Sequence, residues 1–106
     1  MQSWQNASSS ELVFGQAVAR VFRNHPNLLD FLFEPERPRL RCAPEDMLRQ
    51  IRGLSSSEQI LIRIALDIWS GSGNAKLWQI METLDDGNFA NVLDALAFAR
   101  FGSRAI

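Results

Sequence analysis

The stretch "LSSSEQILIRIALDIWSG", residues 54–71, decides the fold. From Ile60 to Trp69 every position is apolar except Arg63 and Asp67. The β-branched content would suit a strand. Gln59, Arg63 and Asp67 recur every four residues, however, and the run is long for a strand, so the pattern predicts a helix over Ser57–Ser70. Ser55-x-x-Glu58 has the form of a capping box, and Gly71 suits the left-handed residue that closes a helix. A helix apolar almost all round is buried almost all round, so other elements must surround it.

Toward the C-terminus, "WSGSGNAKLW" (residues 69–78) interrupts the apolar pattern, with Asn74 expected to cap the next helix. Leu77, Ile80, Met81 and Leu84 then make one stripe at i, i+3, i+4 and i+7. "DDGN" breaks the chain again, with Asp85 or Asp86 as the next cap. The last helix is expected to run to about Arg100, with Phe89, Val92, Leu93 and Leu96 on the core and Gly102 at its end.

Toward the N-terminus, Pro44 opens a helix to about Arg52, with Met47, Leu48 and Ile51 inward and Gly53 as a left-handed cap. Pro35 and Pro38 exclude a long helix before it, which leaves an extended connector with a short edge strand at Arg39–Cys42. "NLLDFLFE" (residues 27–34) reads as a two-turn helix. A first helix fits Ser10–Asn24, with Phe14, Ala17, Val18, Val21 and Phe22 on one face, and Gln16, Arg20 and Arg23 facing away. Ser8-x-x-Glu11 would be its capping box, and His25-Pro26 its stop. Residues 1–9 read as a frayed arm, with Trp4 as its one large side chain, and residues 10–104 as one domain. The prediction is an all-α fold: a single compact bundle of five to six helices around a central buried helix.

Composition narrows the functions. The chain has 106 residues, is 46% hydrophobic and 22% charged, and carries a formal net charge of −1. Nucleic-acid binders usually carry a basic excess, so binding of that kind would need a local patch. With a single cysteine no disulfide framework is possible. The start lacks the basic and apolar regions of a signal peptide, and no apolar run is long enough to span a bilayer. These features predict a cytoplasmic protein with no membrane partner.

Several constellations hold candidate chemistry. "GSGNAK" (residues 71–76) has the glycines and the lysine of a phosphate loop. It lacks the G-x-x-x-x-G-K-[ST] spacing and the preceding strand, and is better read as a hinge between packed helices. The last three helices could form a helix-turn-helix. Its recognition helix would then offer Asn88, Asn91 and Asp94 behind an acidic start at Asp85 and Asp86, which repels phosphate. Arg37, Arg39, Arg41, Arg49 and Arg52 are the one basic cluster, suited to an anion, nucleic acid or an acidic partner, unless Glu34, Glu36, Glu45 and Asp46 neutralise it. Cys42 and His25 would make a catalytic pair only if they met in space, and two residues are too few for a structural metal. No cofactor or metal is expected, and no motif is specific enough to name a family. Finally, Phe98 and Phe101 lie off the expected core stripe of the last helix, and Trp78 at the edge of its own. Aromatics off the core face suit a partner, unless the first helices cover them. The sequence therefore predicts a non-enzymatic helical protein that binds another protein or itself, as a homodimer, through Trp78, Phe98 and Phe101, with Arg37, Arg39 and Arg41 as an electrostatic rim. A nucleic-acid-associated protein using the arginine cluster is the alternative, and an enzyme with a Cys42–His25 site the third.

Overall fold

A computed structural model describes residues 9–102, with side chains from residue 10 onward. Trp4, Ser8 and the rest of residues 1–8, like residues 103–106, lie outside the described residues. The elements are α1 (Ser9–Val21), α2 (Pro26–Leu32), α3 (Pro44–Gln50), a 3₁₀ turn (Ile51–Gly53), α4 (Ser56–Ser70), α5 (Leu77–Thr83) and α6 (Asp86–Phe101). Among the described residues there is no strand. The expected edge strand at Arg39–Cys42 is reduced to an isolated antiparallel bridge between Phe33 and Leu40, because Pro35 and Pro38 leave too few N–H donors for a ladder. The protein is all-α.

The central helix is α4. Ser55 accepts from the Glu58 N–H, while the Ser55 N–H donates to the Glu58 carboxylate at 3.1 Å. The Ser55 backbone N–H first, then its hydroxyl, hold the Glu58 carboxyl below its ordinary pKa. Ile60, Leu61, Ile62, Ile64, Ala65 and Leu66 are all buried. Gly71 closes the helix at φ 70°. Around α4 pack Val18 and Val21 of α1, Phe22 just after it, Leu28, Leu29 and Leu32 of α2, and Met47 and Ile51. Phe33 meets Trp69 edge-on at 5.0 Å.

Some local expectations fail for identifiable reasons. Gly53 is not a left-handed cap; it closes a 3₁₀ turn, and the glycines with positive φ are Gly71 and Gly102. Asn74 does not cap α5; it sits at φ 52° in the loop, and α5 begins after Lys76 without a side-chain cap. Phe14 stands at the edge of its stripe and is 38% exposed.

The larger departure concerns α6. Its buried residues are Asn88, Asn91, Val92, Ala95 and Phe98, whereas Leu93 and Leu96 are about half exposed. The helix is rotated so that its polar stripe faces α1, the element it packs against most. Arg20 and Arg23, expected to face away, supply the reason. Both reach Asp94 Oδ2 at 2.8 Å, and Arg23 donates to Asn91 Oδ1 at 3.3 Å. Likewise Leu77 and Met81 of α5 turn outward, while Ile80 is partly buried and Leu84 buried. Among the described residues no helix is long and apolar enough to cross a membrane.

Candidate functional site: the outward faces of α5 and α6

The polar stripe of α4 shapes the loop between α4 and α5. Gln59 donates to the Leu54 carbonyl at 2.9 Å, and Arg63 to the Gly73 carbonyl at 3.0 Å. Asp67 receives three backbone N–H groups: Gly73 at 2.8 Å, Asn74 at 3.1 Å and Ala75 at 2.9 Å. The loop does turn its N–H groups inward, as an anion-binding nest would. Its anion is the chain's own carboxylate. The loop is a pinned hinge, and this pinning sets where α5 leaves α4.

Pinned in this way, α5 rests on α4 and leaves a groove of about 430 Å³ against α6. Ile64 and Ile68 of α4 form part of its wall, facing Leu77, Ile80, Val92 and Leu96. The rims stay uncovered: Leu77 is 75% exposed and Leu96 47%, and beside them Met81 is 64% and Leu93 52% exposed. Leu77 and Met81 share one side of α5 at i and i+4. Leu93 and Leu96 share one side of α6 at i and i+3. Small soluble domains rarely leave so many large apolar side chains together at the surface.

The three expected anchors separate. Trp78 is exposed, but it lines a separate, more polar recess with Gln59, Ile60 and Arg63 of α4. Phe101 is 68% exposed, but the helical wheel places it on the far side of α6 from Leu96. Phe98 is no anchor: it is 7% exposed, beneath the Arg20 guanidinium at 4.2 Å from its ring. The first helix folds over that side of α6 and covers it. Sequence reasoning misses Leu77, Met81, Leu93 and Leu96 as surface residues because each lies in a stripe that reads as core. Complementary spacing is the available signal: Arg20 and Arg23 at i, i+3 match Asn91 and Asp94 at i, i+3.

The α1–α6 seam also removes Asn88, Asn91 and Asp94 from any groove. The two asparagines are buried, and Asp94 is held by two arginines. The hydrogen bond from Arg20 holds the Asp94 carboxyl below its ordinary pKa; partial burial opposes this, and Arg23 adds to it. Asn88 Oδ1 and Asn91 Nδ2 are buried without a hydrogen-bond partner.

The arginine cluster is largely engaged within the chain. Arg37 lies 3.8 Å from Glu11, and Arg39 3.8 Å from Glu34. Arg41 donates to the Asp30 carbonyl at 2.6 Å, and Arg49 pairs with Asp46. Arg52 is exposed. Cys42 accepts a contact from Gln50 at 3.6 Å, and His25 occupies the N-cap position of α2. The structure does not bring Cys42 and His25 into a hydrogen bond. Among the described residues no group of three or more histidine, cysteine or carboxylate side chains is placed to hold a metal ion.

Comparison with protein-family models, with curated proteins and with solved structures finds no match.

Proposed function

We propose that this chain is a non-enzymatic helical domain that works by docking another protein chain on the outward faces of α5 and α6. One observation carries this: Leu77 and Leu96 line a mostly apolar groove that nothing among the described residues fills, and Met81 and Leu93 stand exposed beside them on α5 and α6. Burying such side chains contributes roughly 25 cal/mol per Å² removed from water, before the cost of association. The groove is walled by α4, α5 and α6 and is mostly apolar, with Asp67 and Arg100 as its charged lining residues. That form suits a helix laid into it.

Site-specific photo-cross-linking in the cell tests this. A photoreactive residue at position 81 or 96 is expected to give a discrete protein adduct. The same residue at Glu45, on α3, is expected to give none. Absence of any adduct from both groove positions would refute docking at this face.

A further inference from the structure

The outer face of α6 carries a pattern that its fold uses only in part: Phe89 packs against the core and the rest stands outward. Asp86, Phe89, Leu93, Leu96 and Arg100 succeed one another at spacings of three, four, three and four residues. That is the a/d repeat of a helix–helix seam, apolar in its middle and charged at its ends. Leu93 and Leu96 are about half exposed and Phe89 is partly buried, while Asp86 and Arg100 are exposed. Among the described residues neither Asp86 nor Arg100 has an ion-pair partner within the chain.

The order of charges selects the occupant. Asp86 stands seven residues before Leu93, and Arg100 seven residues after it. Two copies of α6 laid antiparallel and crossing near Leu93 put each Asp86 beside the partner's Arg100, at both ends of the seam. Laid parallel, they would set aspartate against aspartate and arginine against arginine. Like charges across an interface are costly, and they decide register and direction. α5 repeats the polarity: Lys76 precedes it and Glu82 ends it, on either side of Leu77 and Met81. A face with a basic end, an apolar middle and an acidic end is complementary to itself under a two-fold rotation, the property an isologous dimer requires. The size is also adequate. Leu77, Met81, Leu93 and Leu96, each roughly half to three-quarters exposed, supply a good part of the ~800 Å² that one partner contributes to a standard interface.

We infer that the chain on this face is a second copy of this one, in an antiparallel two-fold dimer centred on Leu93. The inference rests on the docking role proposed above and adds the identity and direction of the partner.

Sedimentation equilibrium and light scattering on the full chain, over a wide concentration range, read the outcome. The expected result is a monomer–dimer equilibrium that Leu93→Glu shifts to a monomer with unchanged helical circular dichroism. Asp86→Arg alone and Arg100→Asp alone should each weaken the dimer by roughly tenfold, since each replaces two attractions by two repulsions. The double exchange should restore affinity to within a few-fold. A chain monomeric at its highest soluble concentration overturns the second copy. So does a dimer indifferent to Leu93→Glu. Single reversals without effect, or a double exchange that fails to rescue, overturn the antiparallel arrangement. The adducts from positions 81 and 96 keep this separate from the docking role: an adduct with a different protein, beside a monomeric chain, preserves docking and removes the dimer.

Discussion

At Gly73 the backbone leaves no room for a side chain. A Cβ there would sit 1.8 Å from the Arg63 carbonyl oxygen, a backbone atom that α4 holds in place. Gly73→Ala is therefore expected to move the loop off the Asp67 carboxylate and lower stability by about 1–3 kcal/mol, read as a shift in denaturation midpoint at unchanged m-value. The two phenylalanines near the end of α6 make the complementary case. Phe98→Ala should cost about 3–5 kcal/mol, because it empties a buried site and strips the Arg20 guanidinium of its ring. Phe101→Ala should change stability by less than about 0.5 kcal/mol. Equal effects in the same denaturation experiment would contradict the orientation of α6. Single residues decide these outcomes through space already filled or left empty, which composition does not reveal.

Among the helices, legibility tracks the strength of the periodic signal. α4 is readable from its capping box, its four-residue polar repeat and its terminal glycine, all of which act locally. Its burial is implied by the narrowness of the polar stripe. α6 has its cap at Asp85 and its terminal Gly102, both legible, but no narrow polar stripe, since Phe89, Val92, Leu93, Leu96, Phe98 and Phe101 are spread around its circumference and leave the rotation to its neighbours. Arg20 near the end of α1 and Arg23 just beyond it settle it, and an Arg20–Asp94 contact 74 residues apart in sequence is invisible to a local pattern. The candidate site is less legible: the exposure of Trp78 is evident from its place on a helix edge, but it borders a different recess, and Leu77, Met81, Leu93 and Leu96 are hidden by looking like core. α5 is the weakest element by the same physics. No residue within it is buried, and its first turn lacks a side-chain cap. Amide exchange in the monomer should be fastest, among helix interiors, across Leu77–Thr83 and slowest across the middle of α4. Dimer formation should then protect α5 and α6 together; slow exchange in monomeric α5 would contradict its exposed packing.

Across the whole molecule, the first and last described helices are joined by a polar seam, and this ties stability to pH. Asp94 keeps a carboxyl pKa below its ordinary value in the folded chain, while the unfolded chain titrates near the usual value of about 3.9. The unfolded state thus binds the proton first as acid is added. The stabilisation from Asp94 is complete above the unfolded pKa and is lost as pH falls through the folded one. Asp94→Asn should lower stability at neutral pH by about 1–3 kcal/mol, and the gap from the parent chain should close at pH below the folded value. Thermal unfolding of both proteins along a pH series reads this, and a gap that persists in strong acid would refute the role of Asp94. The seam has a further consequence for biosynthesis. Of the described helices α1 leaves the ribosome first, yet its most extensive packing surface, α6, is the last of them to emerge. Until then, the arginines of the nascent chain wait for an aspartate more than seventy residues downstream, so this seam closes only once α6 has emerged, and a chaperone that shields the first helix has the most to offer before that point.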